Sequence, residues 1–135
     1  HNKAYRVLFN ELSISMGKIL KIEPHKDQLC LKCHAVDTGA AADTRDQILA
    51  EGVGCGGCHG PSQKWVGVHY LPEWQTYSNE KKWQEYGFIP TKNLVSRTLA
   101  CASCHVGDAD REVNHDLIAA GHPRLAFEPA RFHHQ

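Results

Sequence analysis

Hydrophobic residues recur at intervals of three and four positions along the first part of the chain. Between residues 3 and 21 the pattern comprises Tyr5, Leu8, Phe9, Leu12, Met16, Ile19 and Leu20. This spacing predicts an amphipathic helix that buries one stripe of side chains.

Capping and stop residues predict four further helices. Ser and Thr side chains accept hydrogen bonds from the free amides in the first turn of a helix, and glycine often ends a helix. The first runs from Asp43 to Glu51 and is closed by Gly52, and the second runs from its cap Ser78 to Tyr86 with Gly87 as its stop. The third is capped by Thr91 and leads into Cys101 and Cys104. The fourth runs from Val113 to Ala120 and is ended by Gly121 and Pro123. Loops are predicted at 39–42, 52–60 and 106–110. Alternating strand patterns are scarce, so the predicted fold is mainly α with little regular strand, in one domain spanning residues 1–135.

Every cysteine belongs to one of three copies of the sequence Cys-x-x-Cys-His. The copies are Cys30, Cys33 and His34; Cys55, Cys58 and His59; and Cys101, Cys104 and His105. This sequence attaches haem c, because the two thiols add to the haem vinyl groups and the adjacent histidine becomes the proximal iron ligand. We therefore predict three covalent c haems, which would also enlarge a core that only 41% hydrophobic residues leave modest.

Three other uses of paired cysteines fit less well. A structural zinc site would use two pairs and leave the third without a partner, and it would not explain the histidine after each pair. A disulfide framework suits an even cysteine count but not three closely spaced pairs. A redox dithiol would be expected once, beside an alternating strand and helix pattern.

The composition limits location and partners. The formal net charge is zero, so nothing indicates a nucleic-acid partner or a basic membrane-binding surface. The apolar runs are a few residues long and predict no membrane span, and no signal peptide is visible at the start. Because haem c is attached outside the cytoplasm, we expect an exported protein, in the periplasm or outside the cell.

A sixth iron ligand decides whether a haem carries electrons or binds substrate. The single methionine, Met16, falls on the buried stripe and is expected in the core. Histidine is abundant, so we predict three bis-histidine haems. His115 and His122 are seven residues apart, which on one helix would place them on the same face, about 10 Å apart along the axis. One helix could then supply distal ligands to two haems.

The other histidines carry weaker signals. His69 follows Trp65 by four residues, which predicts a shared face beside a haem if the segment is helical. His1 continues the buried stripe of the first helix and is a candidate distal ligand. The sequence leaves the role of His25 open, and it predicts an exposed tail for His133 and His134.

The chain resembles the multihaem cytochromes c grouped with the tetrahaem electron carrier of nitrifying bacteria. The similarity lies in the segments 1–5, 29–35, 54–69 and, most specifically, 101–128. It implies a helical, haem-organised fold with closely stacked porphyrins, and it implies distal ligation by His1, His69, His115 and His122. Three attachment sequences with four distal candidates depart from the tetrahaem pattern. Either a further haem belongs to a segment before His1, or one histidine serves a haem of a neighbouring subunit.

Three functions follow as hypotheses. The chain is expected to transfer electrons between redox partner proteins rather than act as an enzyme. Its haems could also link copies of the chain into a homo-oligomer or filament through intersubunit ligation, with His1 as the donor. The alternative is a multihaem oxidoreductase with one open-site catalytic haem, against which the surplus of histidines argues.

Overall fold

The computed structural model describes residues 1–36, 42–128 and 130, and these residues form short helices joined by turns. The α-helices are α1 (Glu11–Leu20), α2 (Gln28–His34), α3 (Ala42–Ala50), α4 (Cys55–His59), α5 (Pro72–Thr76), α6 (Asn79–Tyr86), α7 (Leu94–His105) and α8 (His115–Ala119). Two short 3₁₀ helices, Arg6–Phe9 and Ser62–Lys64, precede α1 and α5. The described residues contain one isolated β-bridge, Asp108 with Arg111, and no named strand. The predicted mainly α fold is confirmed.

The predicted first helix is interrupted at Asn10. This residue has an extended backbone, and its side chain accepts a hydrogen bond from the amide of Ser13 at 2.8 Å. Asn10 therefore caps α1, and the 3₁₀ helix before it is a separate element. The hydrophobic spacing is continuous through Asn10, but the capping hydrogen bond breaks the helix there. The prediction of one helix over residues 3–21 is wrong.

Helix α6 begins and ends where the sequence predicts. The hydroxyl of Ser78 accepts a hydrogen bond from the amide of Lys81 at 3.1 Å, and Gly87 ends the helix in the left-handed conformation at φ 68°. Helix α3 is also close to its prediction, with Gly52 in the left-handed conformation beyond its end. A residue in that conformation favours glycine because it has no Cβ to clash.

Other boundaries differ from their predictions, among them that of α8, which begins at His115 and not at Val113. Helix α4 lies inside the loop predicted for 52–60, where its glycines serve close packing: a Cβ on Gly57 would lie 2.5 Å from Val53 Cγ1. Asn93, not Thr91, caps α7 by accepting a hydrogen bond from the amide of Ser96. In the loop predicted for 39–42, residues 39–41 lie outside the described residues and residue 42 begins α3. The loop predicted for 106–110 contains no helix or strand.

Buried side chains form two small clusters. One contains Tyr5, Leu8, Leu31, Ala35 and Leu49, with Cys30 packed against it. The other contains Met16, Leu117 and Ala120, where Met16 has the core position predicted for it. In the described part of the chain, more large hydrophobic side chains are exposed than buried. None of the described helices is long and apolar enough to cross a membrane.

Candidate haem site

Each Cys-x-x-Cys-His sequence lies at the carboxyl end of a helix. Helices α2, α4 and α7 end at His34, His59 and His105 respectively. Within each helix the first cysteine, the second cysteine and the histidine occupy positions i, i+3 and i+4, which share one face. Two thiols and one imidazole therefore project from the same side of each helix, as attachment of one haem requires.

Two of these attachment-sequence histidines face a second histidine from another part of the chain. The rings of His34 and His122 have centroids 6.4 Å apart, with an interplanar angle of 74°. The rings of His105 and His1 have centroids 6.0 Å apart, with an interplanar angle of 82°. The sequence predicted that His1 and His122 are ligands but did not predict their partners.

These separations can be compared with the distance that a shared metal would impose. Metal–imidazole bonds measure about 2.0–2.1 Å in zinc sites and a ring nitrogen lies about 1.1 Å from its centroid, so imidazoles on opposite sides of one metal have centroids about 6.2–6.4 Å apart. The pair of His34 and His122 falls in this range, and the pair of His105 and His1 lies close to it. The donor set therefore fits two haem irons with bis-histidine ligation.

Backbone carbonyls orient four of the candidate ligand rings. In each case Nδ1 donates to a carbonyl oxygen, with His34 bound to Ala4 at 2.9 Å, His59 to Ile89 at 2.9 Å, His69 to Val66 at 2.8 Å and His122 to Pro123 at 2.8 Å. A proton on Nδ1 leaves the lone pair of Nε2 available for a metal, and metal-binding histidines are usually held in this way. The fixed tautomer is independent support for these four histidines as ligands.

The four paired histidines line one cavity of about 480 Å³, which we call the histidine cavity. Its wall also contains three motif cysteines, Cys30, Cys33 and Cys104, while most of the remaining lining is apolar. Several exposed hydrophobic residues belong to this wall, namely Val7, Leu12, Leu29 and Leu125. A mainly apolar cavity with a few converging polar groups is the usual setting of a bound cofactor, and a porphyrin would cover these side chains.

A second cavity of about 1040 Å³ lies between the first and third attachment sequences and α4. We call it the inter-motif cavity. Cys33 and Cys104 line it as well as the histidine cavity, and Gly56 and Gly57 of α4 contribute their backbone. Cys33 and Cys104 thus lie at the boundary between the two cavities.

The thiols of Cys33 and Cys104 share a hydrogen bond, which shifts their pKa values in opposite directions. The bond raises the pKa of Cys33, as does burial, and lowers the pKa of Cys104. Elsewhere, burial raises the pKa of Cys58, with smaller contributions from the nearby Cys101 and Cys104. All three attachment sequences therefore meet around α7, which also packs against α4.

Burial is also the main influence on His34. It lowers the pKa of the imidazole, the hydrogen bond to the Ala4 carbonyl opposes this, and the nearby His122 lowers the pKa further. The ring is therefore held neutral, which is the protonation state that binds a metal.

His59 has different neighbours. Its ring stacks on Phe88 with centroids 4.6 Å apart and meets Trp65 at 6.2 Å. Among the described residues, no histidine ring contacts His59 as His122 contacts His34. His69 also contacts Trp65, with the two ring centroids 5.8 Å apart. Residues 65–70 form turns and no named helix, although the amide of His69 donates to the Trp65 carbonyl as it would in a helical turn.

The idea that one helix presents both His115 and His122 is wrong. Helix α8 ends at Ala119, and Gly121 then takes φ 109°, which turns the chain before His122. His115 is exposed at the start of α8, and within the described part of the chain its side chain has no hydrogen bond or ring contact. His25 packs against Phe9, with ring centroids 4.8 Å apart, and faces none of the attachment histidines.

The zinc and disulfide alternatives and the two tail histidines can also be compared with the structure. His133 and His134 lie outside the described residues, so their predicted exposure stays a prediction. Residues 1–36, 42–128 and 130 bring together no group of three or more side chains of the kinds that hold a metal ion. A zinc site needs four converging ligands, and this part of the chain does not form one. The six cysteines are also free of disulfides.

The sequence-based predictions did not identify several groups near the site. They are the backbone carbonyls of Ala4 and Ile89 and the rings of Phe88 and Phe127, the last of which stacks on His105 with centroids 6.2 Å apart. Backbone carbonyls carry no residue-type signal, and Phe88 lies 29 positions from His59 (88 − 59). Only tertiary structure reveals these contacts.

Comparison with known proteins gives one family match. Residues 1–60 match a family model described as cytochrome c554 and c-prime. The matched segment includes His1 and the first two attachment sequences, while the third lies outside it. Over this segment, which is less than half of the chain, the protein is similar to a c-type cytochrome family, and the similarity supports covalent haem and haem-based electron transfer. Comparisons with curated proteins and with solved structures gave no significant match.

Proposed function

We propose that the chain is an electron-transfer protein with three covalent c haems, one on each Cys-x-x-Cys-His sequence. The observation that carries this proposal is the pairing of His34 with His122 and of His105 with His1 in a cavity lined by attachment cysteines. When bound, haem c supplies one-electron chemistry. Histidine on both sides of an iron fills its coordination sites and favours electron transfer over substrate binding.

The protein's contribution is to hold the ligand rings in place. The hydrogen bonds from Nδ1 to backbone carbonyls fix the ring orientation of His34 and His122, and burial keeps His34 neutral. Fixed, neutral ligands favour low reduction potentials when neither axial ligand is a methionine sulfur. For the iron on His59 we propose His69 as the distal ligand, because its Nδ1 is bound to Val66 and its Nε2 is free.

The arrangement of thiols supports a route for the electrons. Cys33 and Cys104 line the same two cavities and lie close enough to influence each other's pKa, so the attached edges of the first and third haems would be neighbours. Cys58 lies near Cys101, which brings the second attachment sequence to the third. We infer the order first, third, second, with α7 at the centre.

Redox partner proteins would exchange electrons with exposed haem edges. Since haem c is attached outside the cytoplasm, we place the protein in the periplasm or outside the cell. Association of copies into a filament rests on the spare histidine. His1 faces His105 of its own chain, so we assign the intersubunit role to the exposed and unpartnered His115.

One observation favours a second function. The described residues place no histidine ring against His59, and Phe88 and Trp65 are its ring neighbours instead. If His69 does not reach the iron on His59, that haem keeps an open position and can bind a small ligand, as in a multihaem oxidoreductase. The two functions differ in the spin state of a single haem.

A combined redox titration and electron paramagnetic resonance survey of the purified protein tests the proposal. Three low-spin ferric haems with low potentials are expected. Two low-spin haems and one high-spin haem that binds carbon monoxide when reduced would favour the second function. Absence of any haem signal would refute both.

A further inference from the structure

The indole nitrogen of Trp65 is buried without a hydrogen-bond partner. The side chain is 4% exposed, and Nε1 finds no acceptor among the described residues. Among the described residues, the only other buried side-chain nitrogen or oxygen without a hydrogen-bond partner is Nε of Arg97, which belongs to a partly exposed side chain. The orphaned indole N–H is thus the clearest unmet polar group in this part of the protein.

A buried donor without an acceptor destabilises the folded protein. A buried donor left unpaired costs about 1–3 kcal/mol, and buried tryptophans usually find an acceptor for their N–H. An acceptor that does not belong to the described protein residues would remove this cost. The surroundings of Trp65 indicate which group that acceptor belongs to.

Trp65 lies beside the second attachment sequence. Its ring meets His59 at 6.2 Å, His69 at 5.8 Å and Phe88 at 5.4 Å, measured between centroids. His59 is the proximal ligand of the haem that Cys55 and Cys58 would attach, so that haem is a direct neighbour of Trp65. Each haem has two propionate carboxylates, and a carboxylate is the stronger kind of acceptor for an N–H group.

We propose that the indole N–H of Trp65 donates a hydrogen bond to a propionate of the haem on Cys55, Cys58 and His59. Trp65 is then a positioning residue that fixes the tilt of this haem and offsets the negative charge of its propionate. The inference rests on the proposed function, because it requires a haem at this sequence. Since a negative charge near the iron stabilises the ferric state, the hydrogen bond raises the reduction potential of this haem.

The test compares Trp65→Phe with Trp74→Phe in the haem-loaded full chain. Trp65→Phe removes the N–H and keeps an aromatic ring. Trp74 is the matched control, because it is also buried, at 6% exposure, and also contacts Phe88, at 5.3 Å, but its N–H is not orphaned. The measurements are redox titration of each haem and the propionate bending band in the resonance Raman spectrum.

Trp65→Phe is expected to lower the potential of one haem of three and to move one propionate band to lower frequency, while Trp74→Phe changes neither. A purely structural role of Trp65 would lower the melting temperature and leave the bands in place, which would overturn the proposal. Equal shifts in both variants would also overturn it.

A second measurement covers a Trp65→Phe variant that does not fold. In wild-type protein labelled with ¹⁵N-tryptophan, the indole resonance of Trp65 is assigned by elimination with Trp74→Phe and Trp83→Phe. It should be protected from solvent exchange and should move on reduction. A solvent-exchanging, redox-insensitive resonance contradicts the proposal.

A peptide containing Cys55 and Cys58 without haem, found by mass spectrometry, would instead refute the proposed function at this sequence and the inference with it.

Discussion

His122 faces His34 with ring centroids 6.4 Å apart, although the two residues are distant in sequence. Each ring donates through Nδ1 to a backbone carbonyl, so both Nε2 atoms remain available to a metal. This relationship ties the segment after α8 to the end of α2. A haem iron between the rings would therefore crosslink these two parts of the chain.

Replacing His122 tests this crosslink. We expect His122→Ala to convert one haem of three from low-spin to high-spin, because the iron on His34 loses its distal ligand. Electron paramagnetic resonance of the ferric protein measures the change. His115→Ala is the control, since His115 contacts no ring in the described structure, and dilute protein should keep its wild-type spectrum. Loss of a low-spin haem in His115→Ala alone would reverse this assignment.

The same reasoning applies to His1. We expect His1→Ala to turn the haem on Cys101 and Cys104 high-spin, with exposed Lys3→Ala as the control. Gly52→Ala should have a partial effect, because its Cβ would lie 2.8 Å from the His1 carbonyl and Gly52 has φ 70°. Spectra of all three variants, recorded at protein concentrations where no assembly forms, give the answer. An unchanged His1→Ala spectrum would exclude His1 as an intrachain ligand.

A third prediction concerns the contact that orients His59. Gly60 has φ 81°, and a Cβ there would lie 2.7 Å from the carbonyl oxygen of Gly87, next to the Ile89 carbonyl that His59 binds. We expect Gly60→Ala to lower the free energy of unfolding by about 1–3 kcal/mol. Gly67→Ala is the control, because a Cβ there meets nothing within 4 Å, and it should change stability by less than about 0.5 kcal/mol. Thermal unfolding compares the two, and equal stabilities would contradict the packing described here.

Alkaline pH tests the aromatic contacts at the end of α6. A hydrogen bond with Tyr77 raises the pKa of Tyr86 above its usual value, with burial as a smaller cause. The folded state therefore holds this proton more tightly than the unfolded state, and the resulting stability is present below about pH 10 and is lost as the pH rises further. Tyr86→Phe should lose less stability between about pH 9 and 11 than wild type. Tyr70→Phe is the control, because Tyr70 is 72% exposed. Parallel pH profiles for wild type and Tyr86→Phe would contradict the prediction.

Local signals in the sequence predicted helices where one capping residue and one stop residue agree. Ser78 and Gly87 bound α6 as predicted, because both act through neighbouring backbone groups. The prediction failed at Asn10, where side-chain capping interrupts a continuous hydrophobic pattern, and at α4, where glycines serve close packing and do not mark a loop.

The candidate site also has residues that the sequence identifies and contacts that only the tertiary structure reveals. The attachment cysteines and their adjacent histidines have a fixed spacing, so the sequence identifies them without tertiary information. The pairs formed by His34 with His122 and by His105 with His1 depend on how distant segments pack, and no spacing rule contains that information. The predicted shared helix of His115 and His122 failed because periodicity was extended across Gly121, whose positive φ ends the helical path.

The number of covalent haems is the central claim, and the intact mass of the purified protein measures it most directly. We expect a mass equal to the polypeptide plus three haems, and an alkaline pyridine haemochrome absorbance that corresponds to three haems per chain. Digestion should place one haem on each of the three Cys-x-x-Cys-His peptides. A protein with the mass of the bare polypeptide and stoichiometric zinc, produced in cells that attach haem c to a control cytochrome, would contradict it.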